Sequence, residues 1–101
     1  MTTVYFAIQT TDKPGHAHIR ADVRPAHLQY LKAHVHRFVA AGALLEDDGS
    51  PGTGGILLIA ATDRADAERF AAEDPYTLAG LFETVKVTRW RKAFFDGQCL
   101  V

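Results

Sequence analysis

The longest uninterrupted apolar run in the chain is Ile56–Ala61, and it constrains the fold more than any other segment. A transmembrane helix needs about 20 consecutive apolar residues, so this run is too short to cross a bilayer. With the threonine that follows it reads ILLIAAT, which predicts a central strand, Ile56–Thr62, covered on at least one face. The 101 residues of the chain are enough for one domain with one core, and we expect that domain to span residues 1–101.

Strand and helix patterns alternate on both sides of this run. Residues Thr3–Gln9 are rich in β-branched and aromatic side chains, which predicts a first strand, and Thr10–Ala21 is predicted as a polar loop. The glycines between Glu46 and Gly55 predict a hairpin connection. The other predicted elements are a helix from Pro25 to Val35 or His36, a second helix beginning at Asp63, and a long strand at Glu83–Phe95. Residues 38–45 either continue the first helix as far as Gly42 or form another strand.

The starts of the helices are predicted from proline and aspartate. Pro25 is favourable at the first helical position, where its missing N–H has no partner to lose. That start places His27 in the first turn, near the positive end of the helix dipole, which favours a neutral imidazole able to accept a proton. Asp63 is a predicted N-cap, and Asp74 can cap a short helix that begins at Pro75. Asp74 is also the carboxylate best placed to orient His27.

The apolar positions of the two helices predict which faces point inward. In the first helix the inward stripe is Leu28, Leu31 and Val35, and in the second it is Ala67, Phe70 and Ala71. With a strand at residues 38–45, the order of elements is strand, helix, strand, strand, helix, strand. This order predicts an α+β fold of the ferredoxin-like βαββαβ type, with a four-stranded antiparallel sheet and both helices on one face. The simplest cover for the other face is a second copy of the chain, so we expect a homodimer.

Several short motifs, in order, resemble the YCII-related domain (YciI-like) family over nearly the whole chain, from Tyr5 to about Phe95. The motifs are Arg24-Pro25-Ala26-His27-Leu28, Ala41-Gly42 with Leu44-Leu45, Asp47-Asp48-Gly49, Asp74-Pro75-Tyr76, Ala79-Gly80-Leu81-Phe82-Glu83 and Trp90-Arg91. The resemblance places a strand at Phe38–Leu45. The family usually has proline after the glycine of the Ala-Gly motif, whereas this chain has Ala43.

The resemblance also implies an architecture and a site. The family fold is a dimeric α+β barrel, in which two ferredoxin-like protomers pack sheet to sheet. A His–Asp active site carries over to His27 and Asp74. A dehydrochlorinase of chloroaromatic degradation uses this scaffold, and muconolactone isomerases share the wider fold. Because fold similarity does not transfer a reaction, the chemistry has to be argued from the residues themselves.

An enzyme of this kind would use His27 as general acid or base and Asp74 as its orienting partner. Arg24 or Arg20 can hold an anionic substrate, helped by free N–H groups at the start of the first helix. Tyr76 is a candidate donor to a developing oxyanion. The reaction class is proton transfer on a small aromatic or lactone-like compound: isomerisation, or elimination such as dehydrochlorination. The unknown small molecule is then the second expected partner, after the homodimer.

A non-catalytic interpretation fits the same residues. His27 can be a buried, hydrogen-bonded histidine and Asp74 only a helix cap, in a small-molecule-binding or protein-interaction domain. A deep pocket that encloses both side chains favours the enzyme, and a filled core around His27 favours the alternative.

Composition excludes several other classes. The net charge of −1, with basic residues scattered along the chain, argues against nucleic acid or an anionic membrane as a partner. Cys99 is the only cysteine and no signal peptide is recognisable, so we expect a cytoplasmic protein. His16 and His18 are spaced like metal ligands, but no third ligand is implied, and we expect neither metal nor other cofactor. A weaker alternative is a metal site that combines His16, His18 or His34 with an acid.

Overall fold

A computed structural model describes residues 3–101 as an antiparallel sheet with helices on one face. The elements are β1 (Val4–Asp12), α1 (Ala17–Ala33), a 3-10 turn (Val35–Arg37), β2 (Phe38–Leu45), β3 (Pro51–Ala61), α2 (Arg64–Ala72), α3 (Pro75–Leu78), β4 (Phe82–Trp90), β5 (Phe94–Phe95) and β6 (Gln98–Cys99). The first four strands form one sheet in the order β2-β3-β1-β4, and β5 and β6 form a separate hairpin. This topology confirms the predicted ferredoxin-like α+β fold.

The register of the strands divides the sheet into two different faces. Ile8 of β1 lies opposite Leu57 of β3 and Val87 of β4, and this row points toward the helices. The next row, centred on Ala7, points the other way, because successive side chains of a strand alternate between faces. The core lies between the helical face and α2. Its buried members are Phe6, Ile8, Ile59, Ala61, Ala67, Phe70 and Ala71.

Several predicted elements agree closely with the structure. The strand at Phe38–Leu45 has the predicted bounds. Asp63 caps α2 by accepting a hydrogen bond from the backbone N–H of Asp66 (2.8 Å). Asp74 caps α3, with Pro75 at its first position. The predicted inward stripe of α2 is buried, with Ala67, Phe70 and Ala71 among the core residues.

The predicted start of the first helix is wrong. α1 begins at Ala17, so residues 17–21 are helical and not part of a loop, and Pro25 lies inside the helix. Pro25 is exposed, which leaves the carbonyl that its missing N–H would have bonded close to solvent. The actual start of α1 is not marked in the sequence, since His16 makes no side-chain cap and the first turn holds no acidic residue. His27 therefore lies in the body of α1, away from the positive end of the dipole.

The end of α1 and the last predicted strand also differ from expectation. Val35 is not on an inward stripe, because the helix has ended and the residue is 69% exposed in the 3-10 turn. The strand predicted at Glu83–Phe95 ends at Trp90. The chain then turns back, with Asp96 and Gly97 at positive φ joining β5 to β6.

Strands β1 and β3 are longer than predicted. β1 continues to Asp12, and β3 begins at Pro51. The turn between β2 and β3 is therefore much shorter than the glycine-rich segment of the sequence. The glycines of β3 are part of the sheet because neighbouring strands approach closely. A Cβ at Gly52 would lie 2.5 Å from the carbonyl oxygen of Leu44, and one at Gly54 would overlap the carbonyl of Thr10.

Candidate functional site

One face of α1 points into a pocket between the helix and the sheet. Arg20, Arg24, His27, Leu28 and Leu31 recur at helical spacing along this face, and all five line the pocket. Its volume is about 250 Å³. The opposite walls come from the sheet and from α3, and the other lining residues are Thr10, Ala41, Gly42, Ala43, Gly54, Gly55, Leu57, Asp74, Tyr76 and Phe82.

Small residues leave this space open. Gly55 is on the helical face of β3, opposite Thr10 of β1 and Ala43 of β2. The hydroxyl of Thr10 accepts a hydrogen bond from the N–H of Gly55 (3.1 Å). Since none of these three side chains is large, the sheet below α1 is not filled, and a cavity remains where a core would otherwise continue.

His27 and Asp74 meet at the wall of the pocket. The Nδ1 atom of His27 lies 2.8 Å from Oδ1 of Asp74. The side chain of His27 is 14% exposed and that of Asp74 is 4% exposed. A carboxylate only accepts, so Nδ1 carries the proton that is shared with Asp74. In the neutral imidazole Nε2 then has a free lone pair.

The other ring nitrogen of His27, Nε2, belongs to a residue that lines the pocket. It has no hydrogen-bond partner within residues 3–101. Over the same range no buried side-chain nitrogen or oxygen lacks a partner, so Nε2 must be exposed to solvent. An accessible lone pair on an imidazole held by a carboxylate is the arrangement of a general base.

Asp74 has a second structural task. The same Oδ1 atom that binds His27 accepts a hydrogen bond from the backbone N–H of Tyr76 (2.9 Å), which caps α3. The fold of the α2–α3 corner thus fixes the carboxylate before any ligand arrives. This position also explains how a residue 47 positions away along the chain reaches His27.

Tyr76 supports the imidazole from one side. Its ring stacks on that of His27 with centroids 3.9 Å apart and an interplanar angle of 16°. Tyr76 is 2% exposed, and burial raises the pKa of its hydroxyl. That hydroxyl donates to the carbonyl oxygen of Arg20 (3.4 Å). Without a ligand this proton is directed at α1, and donation to a ligand oxyanion stays a prediction.

The two arginines of the pocket have different surroundings. Arg20 makes two hydrogen bonds with Asp12, from Nε (2.6 Å) and from a terminal nitrogen (2.9 Å), and this contact raises its pKa. Its guanidinium also lies 4.8 Å from the centroid of the Tyr76 ring. Arg24 is exposed and makes no ion pair or side-chain hydrogen bond with any residue in the described range. The helical N–H groups expected to assist Arg24 lie elsewhere, because α1 begins at Ala17.

The remaining histidines lie outside the pocket. His16 binds the carbonyl oxygen of Pro14 (2.9 Å), and His34 binds that of Tyr30 (2.8 Å), each through Nδ1. Across residues 3–101, no three His, Cys, Asp or Glu side chains are grouped as metal ligands would be.

Sequence reasoning found Arg20, Arg24, His27, Asp74 and Tyr76 but not the other residues of this site. Asp12, Leu28 and Thr10 were not recognised as parts of one site. The available signal was the spacing of Arg20, Arg24 and His27, which fits one helical face only if α1 begins well before Pro25.

Residues 4–91 match the family model of the YCII-related domain. The chain belongs to the YCII-related domain family. It is 34% identical over 97 residues to protein YciI of Escherichia coli, covering 88% of this chain and 98% of that protein. Protein YciI of Shigella flexneri matches with the same identity and coverage.

A solved structure of this fold carries a named activity. The 5-chloro-2-hydroxyhydroquinone dehydrochlorinase TftG of Burkholderia phenoliruptrix was solved in complex with 2,5-dihydroxybenzoquinone. It is 34% identical to this YCII-related protein and superposes with a TM-score of 0.79, covering 86% of this chain and 93% of TftG. In the part of the chain that the structure describes, no helix has the length and hydropathy of a membrane span.

Proposed function

We propose that this YCII-related protein is an acid–base enzyme that takes a proton from a small ring compound. His27 is the base and Asp74 is the positioning residue that holds its tautomer. The observation that carries the proposal is the 2.8 Å contact between Nδ1 of His27 and Asp74, which leaves Nε2 accessible at the wall of a pocket. Proton transfer to a positioned imidazole of this kind accelerates reactions by about 10²- to 10⁴-fold.

The size of the pocket supports a substrate with a single ring. Its volume of about 250 Å³ exceeds the roughly 150 Å³ of an engineered protein cavity that binds benzene. The excess leaves room for hydroxyl or chlorine substituents on the ring. A filled core around His27, the arrangement that would favour a non-catalytic domain, is not what surrounds the imidazole.

The similarity to TftG supports elimination of HCl from a chlorinated hydroquinone as the reaction to test first. In such an elimination a hydroxyl proton first moves to the chlorine-bearing ring carbon, which gives the keto tautomer. The base then takes the proton of a second hydroxyl group, the O–H electrons form a new C=O bond, and a ring π bond shifts toward the chlorine-bearing carbon. Chloride leaves with the electrons of the carbon–chlorine bond. Only one base is needed, so the reaction matches the single imidazole of this pocket.

The test is chloride release from 5-chloro-2-hydroxyhydroquinone under nitrogen, measured by ion chromatography. We expect the wild-type protein to release chloride well above the uncatalysed rate. His27→Gln should lower kcat by about 100-fold or more, because an amide cannot accept the proton that the imidazole takes. Asp74→Asn should lower kcat as well, since an amide does not fix the imidazole in the same way.

His34→Gln is the matched control, because His34 is also half-buried at the α1 end but lies outside the pocket. It should keep wild-type activity. Chloride release that survives His27→Gln would refute the role of the histidine. Binding of 2,5-dihydroxybenzoquinone without turnover of the chlorinated compound would favour the non-catalytic binding domain.

We also propose that two copies of the chain pair through the face of the sheet that carries no helix. Alternation along the strands places eight apolar side chains on this face, together with the polar Gln9, Lys86 and Thr88 of β1 and β4: Tyr5, Ala7, Ala40, Leu44, Ile56, Leu58, Ala60 and Trp90. Leu44 is 47% exposed in the single chain. An apolar sheet face of this extent is stabilised by burial against a second sheet.

Light scattering tests the dimer. The wild-type protein should have twice the mass of one chain, and Leu58→Lys should give the mass of one chain, since a charge at the centre of the interface cannot be solvated there. Leu78→Lys makes the same substitution at an exposed leucine on α3, away from this face, and should remain a dimer. A wild-type protein with the mass of one chain would refute the proposal.

A further inference from the structure

Some charged side chains around the pocket have an ion-pair partner and one does not. Arg20 is paired with Asp12 through two hydrogen bonds, and Asp74 is paired with His27. Within residues 3–101, Arg24 is the pocket-lining cation without such a partner. Free cations beside a pocket attract anionic groups of a ligand, because the guanidinium keeps its full charge and all its donors.

Arg24 is also close to the base. It precedes His27 by three residues on α1, so the two side chains leave the helix on the same face one turn apart. When His27 accepts a proton, the new positive charge is matched by Asp74. The negative charge left on the substrate then has Arg24 as its nearest unmatched partner on that face.

We infer that Arg24 binds the anionic oxygen of the substrate, and that the pocket therefore takes small ring compounds with an acidic hydroxyl group. This inference rests on the proposed function, because it concerns the ligand of the same site. Arg20 does not share the role. Turning Arg20 toward a ligand would leave the carboxylate of Asp12, which is 11% exposed, without its partner.

The probes are 2,5-dihydroxybenzoquinone, which is anionic at pH 7, and hydroquinone, which is a neutral ring of the same size. Binding is measured by calorimetry under nitrogen, in a Cys99→Ser background that removes the exposed thiol from reach of the quinone. We expect Arg24→Gln to weaken binding of the anionic probe by about 10-fold or more and to leave hydroquinone binding within about 2-fold. Arg24→Lys should recover part of the lost affinity.

The control is Arg69→Gln, which removes the same charge from an exposed arginine of α2 that does not line the pocket. It should bind the anionic probe within about 3-fold of the wild type, since exposed charges away from the site are screened by salt. Its folding is checked by circular dichroism.

The outcomes separate this inference from the proposed function. Equal weakening of both probes by Arg24→Gln, or no effect on the anionic probe, would overturn the assignment of Arg24. Failure of the wild-type protein to bind 2,5-dihydroxybenzoquinone would overturn it too. Selective loss of the anionic probe, combined with no His27-dependent turnover, would sustain Arg24 as the anion site while refuting the catalytic proposal.

Discussion

The two halves of the helical face of the sheet are built differently. α2 has nine residues and buries three of them, whereas α1 has 17 residues and none is fully buried. Under α2 the sheet carries Phe6 and Ile59, and the space is filled. Under α1 it carries Thr10 and Gly55, and the space is the pocket. One helix therefore stabilises the domain, while the other mainly carries the side chains of the site.

The first test of this contrast is to truncate one large side chain under each helix. Phe70 of α2 is 2% exposed and contacts the rings of Tyr30 and Phe38. Phe70→Ala should lower the free energy of unfolding by about 3–5 kcal/mol, because it removes a buried ring and leaves a cavity. Leu28→Ala on the pocket side should cost about 1 kcal/mol, because Leu28 borders a space that is already empty.

Urea denaturation of the two variants measures both effects. The comparison is contradicted if the two substitutions cost the same. We expect the reverse order for ligand affinity, with Leu28→Ala weakening binding of 2,5-dihydroxybenzoquinone more than Phe70→Ala does under conditions where both variants are folded.

The second prediction concerns the contact that joins the two halves. Tyr30 of α1 donates a hydrogen bond to the carbonyl oxygen of Phe70 (2.8 Å), which lies in the last turn of α2. Burial, with the charges of Glu73 and Asp74, raises the pKa of Tyr30 to about 12, so the hydroxyl keeps its proton. Tyr30→Phe should cost about 1 kcal/mol of unfolding free energy, because the carbonyl loses its partner.

Thermal unfolding checks the effect of Tyr30→Phe, with Tyr5→Phe as the control. Tyr5 lies on the opposite face of the sheet and its ring contacts Trp90 edge-on. Activity of Tyr30→Phe should be unchanged. A loss of activity without a loss of stability would mean that Tyr30 belongs to the site.

The smallest expected effect is a pH dependence on the α2 side. The backbone N–H of Thr62 (3.0 Å) and Arg37 (2.7 Å) bind the carboxylate of Asp66 and lower its pKa. A carboxyl group whose pKa is lower in the folded state stabilises the fold above its unfolded pKa of about 3.8. This stabilisation should be lost as the pH falls below that value.

The measurement is the unfolding free energy from about pH 5 to about pH 2. Asp66→Asn should be less stable than the wild type at the upper end and should show a flatter decline toward acid. Asp47→Asn alters an exposed turn residue and should follow the wild-type curve. Parallel curves for Asp66→Asn and the wild type would contradict the prediction.

The parts of the fold that follow local rules were predictable from the sequence. Asp63 and Asp74 cap helices where the cap preferences place them, and the alternation of elements leads to the observed topology. The start of α1 was not predictable in this way. Pro25 has the usual features of a first helical residue, yet in this protein the helix continues through it, because half-buried residues on both sides of it contact the rest of the domain.

The site was only partly predictable for a related reason. His27 and Asp74 were paired from a helix start that is wrong and also from the resemblance to the YCII-related family, and the structure brings their side chains within hydrogen-bond distance. The residues that line the rest of the pocket are brought there by tertiary packing, which no local sequence pattern encodes. Gly54 belongs to a glycine-rich segment that is typical of a loop, but it lies in β3. Only a residue without a side chain fits there against the backbone of Thr10. Asp12 was assigned to a loop, and its contact with Arg20 was therefore missed.

The single oxygen of Asp74 that binds both His27 and the first turn of α3 has an evolutionary consequence. Selection for folding alone is enough to retain this aspartate, even in a descendant that no longer turns over any substrate. His27 caps no helix, and its contacts with Asp74 and Tyr76 are made by the side chain alone. Under the proposed function, replacement of the histidine beside an intact aspartate is thus the pattern expected in a relative without this chemistry.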